Sequence, residues 1–143
     1  MDGASVLLVD DDQGFLFRLK GRLEAYGFKV ATATDGNGAV SRAEREVFDA
    51  VVLDVQMPGM DGETTLRKLL ENNPKLNVIM LTGYANIERG VQALRNGAFD
   101  YLEKPADMGA LLKRLRDARE KRLLLIEKEN EQKIQDVLKG KSW

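Results

Sequence analysis

The chain has 143 residues, enough for one domain with a full core and too few for two ordinary ones. Hydrophobic residues make up 43% and charged residues 31%, and a net charge of −1 supplies no field that would draw in nucleic acid or an anionic membrane. Cysteine and histidine are both absent, which excludes disulfides, thiolate and imidazole metal sites, Ser-His or Cys-His catalysis, and a phosphohistidine on this chain.

Ser5 to Val9 is a short apolar run that ends in Asp10-Asp11-Asp12. Phe15, Leu16, Leu19, Leu23 and Tyr26 follow at helical spacing, with Asp12 read as the helix cap. A second run covers 28–32, and a weaker helical segment extends from about Gly38 to Val47. The third run, Ala50 to Leu53, ends in Asp54 and leads into the Pro- and Gly-containing turn Val55-Gln56-Met57-Pro58-Gly59-Met60-Asp61-Gly62. A helix from near Gly62 carries Leu66, Leu69 and Leu70 and stops before Pro74. The fourth run, 77–81, precedes a helix over about 85–95 with Ile87, Val91 and Leu94 apolar and Gly97 as its C-terminal cap. The fifth run, 98–102, is followed by Lys104-Pro105 and a helix capped by Asp107, with Leu111, Leu112, Leu115 and Ala118 on one face. From about Glu120 to Lys139 the helix continues, rich in Lys, Glu, Arg and Gln. No apolar stretch approaches the roughly 20 residues of a membrane helix, and the Asp2-Gly3 start is not a signal peptide, so the expected location is the cytoplasm.

Alternating short apolar runs and helices predict an α/β fold, a parallel sheet with helices on both faces. The runs are continuously apolar, as strands covered on both sides must be. In such open sheets ligands bind beyond the carboxyl ends of the strands. Strand polarity therefore brings Asp10, Asp54, Thr82 and Lys104 to one edge. Carboxylates ~5 Å apart repel by roughly 3 kcal/mol per pair at an effective dielectric of ~20, so the gathering calls for a cation.

Asp54, in an exposed strand-end turn, has the profile of a nucleophile that attacks phosphorus to form an acyl phosphate. Asp10 and Asp11 are hard oxygen ligands suited to Mg²⁺ (or Mn²⁺), with the backbone carbonyl of Gln56 available to complete the shell. Lys104 can pair first with a carboxylate and then with a phosphoryl oxygen, and a cis Lys104-Pro105 bond would aim it inward. Thr82 offers a hydroxyl to a phosphoryl oxygen beside Gly83, and Tyr101 is a half-buried aromatic that can turn inward when Thr82 moves. Taken singly, each has a plainer role: a loop cap, a solvated lysine, a strand threonine, a core tyrosine. Only their convergence favours chemistry.

These residues resemble the response-regulator receiver domains of two-component signalling. The match is Leu-Leu-Val-Asp-Asp-Asp at 7–12, Leu-Asp-Val-Gln-Met-Pro-Gly-Met-Asp-Gly at 53–62, Leu-Thr-Gly at 81–83 and Gly-Ala-Phe-Asp-Tyr-Leu-Glu-Lys-Pro at 97–105. The last stretch is most similar to receivers of NtrC-type regulators. The resemblance implies a flavodoxin-like five-stranded sheet of order 2-1-3-4-5, and a receiver over 4–120 with a helical extension over 121–143. It implies that Asp54 accepts phosphate from a sensor histidine kinase or phosphotransfer protein, with Mg²⁺ at Asp10, Asp11, Asp54 and the Gln56 carbonyl. Lys104, Thr82 and Tyr101 match the family's lysine, hydroxyl and aromatic switch. Gln56 and Tyr84, two residues beyond Asp54 and Thr82, match positions that tune dephosphorylation. The implied activity is a switch with self-catalysed phosphoryl transfer and hydrolysis, not a turnover enzyme, read out through the fourth helix, fifth strand and fifth helix.

A phosphatase of similar topology would place an aspartate two residues after the nucleophile, where Gln56 stands. A receiver-like adaptor would hold Mg²⁺ structurally and form no acyl phosphate. Lys113, Arg114, Arg116, Arg119, Lys121 and Arg122 read as a solvated face diluted by glutamates, so no direct nucleic-acid contact is expected. Leu123, Ile126 and Asn130 fit a, d and a heptad positions, so the extension reads as a homodimer stalk or as a linker to an output domain. The switch face is the other homodimer surface.

Overall fold

The computed structural model describes residues 3–55, 61–83, 87–104 and 107–140. In chain order the elements are β1 (Ser5–Val9), α1 (Gln13–Ala25), β2 (Lys29–Ala33), α2 (Gly36–Arg45), β3 (Ala50–Asp54), α3 (Gly62–Asn72), β4 (Val78–Thr82), α4 (Ile87–Arg95), β5 (Asp100–Glu103) and α5 (Met108–Leu138). The five strands form one parallel sheet of order β2-β1-β3-β4-β5, as the receiver resemblance implies.

Alternate side chains of each central strand enter different cores. Leu7, Val9, Val51, Leu53, Val78 and Met80 pack with Ala39, Leu66, Leu69 and Ala93 of α2, α3 and α4. Val6, Leu8, Val52, Ile79 and Leu81 pack with α1 and α5 through Leu16, Leu19, Leu23, Leu111, Leu112 and Leu115. Each fully buried leucine contributes about 1.5–3 kcal/mol, so both halves of every apolar run stabilise the sheet. This two-sided burial is why β3 and β4 are buried at every position.

The helix ends follow their side-chain chemistry. Asp12 caps α1 by accepting the Phe15 N–H at 3.0 Å, and Asp107 caps α5 by accepting the Ala110 N–H at 3.0 Å. Gly97 closes α4 at φ +100°, where an L side chain would be strained.

Several expected boundaries shift. The second and fourth strands lie one residue later than their apolar runs, and β5 starts at Asp100 because Ala98 is taken up by a hydrogen bond to Ala93 at the end of α4. Helix α2 starts at Gly36, since Asp35 caps it through the Gly38 N–H at 2.7 Å, and it stops at Arg45, leaving Val47 exposed. Tyr26 caps the end of α1 and stands exposed, outside the buried stripe. On α4, Val91 and Leu94 are 42% and 48% exposed, so its apolar stripe faces outward. Its inner positions are Gly90 and Ala93, small enough to bring the helix against Tyr101 of β5.

Helix α5 continues unbroken through residue 120. Arg122 pairs with the buried Asp49 at 3.0 Å, and Glu129 pairs with Lys75 at 2.9 Å. Lys75 holds the Glu129 carboxyl below the usual carboxylate range by its hydrogen bond and its charge. Leu123, Ile134 and Val137 are exposed. Among the described residues no helix is long and apolar enough to cross a membrane.

Candidate functional site

Parallel strands present all their carboxyl ends on one edge, and the site is built there. Asp10 follows β1 and Asp54 ends β3; they are 2% and 7% exposed, while Asp11 is open to solvent. One carboxylate oxygen from each of Asp10, Asp11 and Asp54 lies within 4.8 Å of the other two. At an effective dielectric of ~20, each such pair repels by roughly 3 kcal/mol.

Lys104, just beyond β5, answers part of that repulsion. Its ammonium lies 2.5 Å from Asp10 Oδ2 and 3.7 Å from Asp54 Oδ1. Its backbone N–H donates to the Thr82 carbonyl at 2.5 Å, so the end of β4 sets where the lysine leaves the sheet. Three carboxylates against one ammonium leave two negative charges uncompensated in this group. The donors are all hard oxygens, and one divalent cation would neutralise them, so the residues fit Mg²⁺ or Mn²⁺.

The surroundings hold these groups in place. Asp10 Oδ1 accepts the Asp12 N–H at 3.0 Å, which orients the carboxylate whose other oxygen meets Lys104. After β3 the Val55 N–H donates to the Leu81 carbonyl at 2.9 Å, and the Gly62 N–H returns to the Val55 carbonyl at 3.0 Å. A Cβ on Gly62 would stand 2.6 Å from the Asp54 carbonyl oxygen, so only glycine lets α3 begin against the end of β3. Asp61 caps α3, and the Thr64 N–H and hydroxyl hold its carboxyl below the usual carboxylate range.

Of the residues singled out from the sequence, Asp10, Asp11, Asp54 and Lys104 come together directly. Thr82 is fully buried at the end of β4, on the same edge. Tyr101 is half-buried, and its ring packs on Gly90: a Cβ there would lie 2.9 Å from Tyr101 Cδ1. Asp12 caps α1. Gln56, Tyr84 and Pro105 lie outside the described residues. Two neighbours escape a reading of the sequence as parts of the site. Phe15 is legible there only as a core-stripe residue, and its ring centroid is 4.4 Å from the Lys104 ammonium. Gly62 is legible as a turn residue, with no sign of the strand backbone beneath it.

Residues 6–116 match the response regulator receiver domain. The chain is 40% identical over 110 residues to the transcriptional regulatory protein ZraR of Escherichia coli strain K12, a match covering 77% of this chain and 25% of ZraR. A response regulator receiver domain protein from Clostridium thermocellum has a structure with a TM-score of 0.82 at 31% identity, covering 85% of this chain and 98% of that one. NtrX from Brucella abortus gives a TM-score of 0.82 at 32% identity, covering 92% of this chain and 30% of that one. ZraR is a regulator of the NtrC family. The chain spans about a quarter of the length of the curated relatives it matches.

Proposed function

The chain belongs to the response regulator receiver domain family of two-component systems, and from that premise we propose that it is a switch thrown by phosphorylation of Asp54. The observation that supports this most is the juxtaposition of Asp54 with the Lys104 ammonium at 3.7 Å and with the Asp10 and Asp11 carboxylates. No histidine is present, so the phosphoryl donor is a sensor histidine kinase, a phosphotransfer protein or a small acyl phosphate. A carboxylate oxygen of Asp54 forms the new bond to phosphorus as the donor's P–N or P–O bond breaks. Attack of water on that phosphorus later releases inorganic phosphate and restores the carboxylate.

Asp10, Asp11, Asp54 and the Gln56 carbonyl would hold Mg²⁺, which when bound neutralises charge on the phosphoryl oxygens. Lys104 leaves Asp10 for a phosphoryl oxygen, and the Thr82 hydroxyl donates to another. The added charge and acceptor oxygens favour the state in which Thr82 and Lys104 are drawn in and Tyr101 turns inward. The α4-β5-α5 face carries that change to an effector, and the exposed Val91 and Leu94 make it the surface most altered by a shift of α4. This face or the exposed side of α5 beyond the receiver serves homodimer contact.

Incubation with acetyl phosphate and Mg²⁺, read by intact mass, tests the assignment. The wild-type chain gains one phosphoryl group, and Asp54→Asn gains none. Labelling of Asp54→Asn at the wild-type rate would overturn it.

A further inference from the structure

Among the described residues, the ammonium of Lys104 meets Asp10, Asp54 and the ring of Phe15, whose centroid is 4.4 Å away. The aromatic contact is part of a closed circuit. Asp12 donates its N–H to Asp10 and caps the Phe15 N–H with its own carboxylate, both at 3.0 Å. Asp10 in turn holds Lys104, and Lys104 sits over Phe15. The first turn of α1 therefore fixes a ring face at the ammonium of the site.

We propose that Phe15 is a positioning residue for phosphoryl transfer, acting through Lys104; this rests on the reading of Asp54 as the phosphoacceptor. The physical reason is the difference between the three partners. A carboxylate binds an ammonium strongly, and the shorter of the two carboxylate contacts of Lys104 is to Asp10, 2.5 Å against 3.7 Å to the acceptor. A ring face attracts a cation through its quadrupole across a broad area. Lys104 must exchange Asp10 for a phosphoryl oxygen on Asp54, and the ring keeps one partner in place while it does so. Phe15 is half-buried against the α1–α5 core, which anchors the ring. Its position on α1, far in sequence from Lys104, makes it independent of the loop that carries the lysine.

The test separates ring electrostatics from packing. Fluorinated phenylalanines introduced at position 15 alone keep the ring's shape while draining its quadrupole step by step. Labelling by acetyl phosphate with Mg²⁺ should slow progressively, reaching about 5- to 30-fold for the most fluorinated ring. The urea midpoint should stay constant across the series. Phe15→Trp should label within a few-fold of the wild-type chain, and Phe15→Leu should match the slow end. In a Lys104→Met background the residual rate should no longer depend on fluorination. A flat series in a chain whose wild type labels normally overturns this proposal alone. A wild-type chain that takes up no phosphate overturns the phosphoacceptor reading and this proposal with it.

Discussion

Replacing Gly62 with alanine puts a methyl group where the structure has backbone. The added Cβ would lie 2.6 Å from both the Asp54 carbonyl oxygen and Val55 Cα, and 2.7 Å from the Val55 carbonyl oxygen. Ordinary contact begins at 3.4 Å, so something must yield by about 0.8 Å. None of these atoms belongs to a flexible side chain. Two are carbonyl oxygens at the end of β3, and the Val55 oxygen already accepts the Gly62 N–H. Overpacking of this kind costs about 1–3 kcal/mol. Alanine's better helix propensity returns up to about 1 kcal/mol. The net loss should be near 1–2 kcal/mol, which lowers the melting temperature by about 2–8 °C in a domain of this size. Gly21 is the control. It sits inside α1, where an added methyl group would meet nothing within 4 Å, so Gly21→Ala should stabilise by up to about 1 kcal/mol. Urea unfolding of both variants measures the difference. Gly62→Ala should also slow phosphate uptake, because the carbonyl it displaces belongs to Asp54. A Gly62→Ala chain as stable as Gly21→Ala would refute the close-packing argument.

Gly90→Ala should displace the Tyr101 ring, since its Cβ would stand 2.9 Å from Tyr101 Cδ1; unchanged Tyr101 side-chain NMR shifts would contradict this. Arg122→Gln strips the buried Asp49 of its cation and should cost about 1–3 kcal/mol in urea unfolding, while Asp49→Asn combined with it should recover part of the loss. Truncation after residue 120 removes both Arg122 and Glu129, so it should lower stability yet leave phosphate uptake in place; loss of uptake would show that the extension supports the site. Asp61→Ala removes the α3 cap and should cost about 1 kcal/mol. The Asp61 carboxyl is held below its usual range in the folded chain, so its contribution is full above the unfolded value of about 3.9 and is lost as pH falls through the folded one. Melting temperatures of wild type and Asp61→Asn should therefore converge on acidification, and parallel profiles would argue against the lowered carboxyl.

The amino-acid sequence by itself determined the sheet and the edge on which the site forms. Continuously apolar runs require strands covered on both faces, and parallel strands have only one carboxyl edge. Asp10, Asp54, Thr82 and Lys104 therefore had to converge. Helix caps were legible for the same local reason: Asp12 and Asp107 each bind an N–H three residues ahead. Tertiary structure alone decided which contacts cross between elements. The ion pair of Lys104 with Asp10 spans 94 residues, and that of Arg122 with Asp49 spans 73; nothing in local spacing encodes either partner. Helix α4 shows the same division. Its apolar spacing is plain in the sequence, yet Val91 and Leu94 face outward because Gly90 fits against Tyr101 and Ala93 is buried in the core beside it. Periodicity reports that a helix has an apolar stripe, but side-chain size across the interface decides which stripe is buried. Phe15 makes the point at the site itself: at helical spacing it is a core residue, and only the arrival of the chain beyond β5 at the first turn of α1 brings Lys104 over its ring.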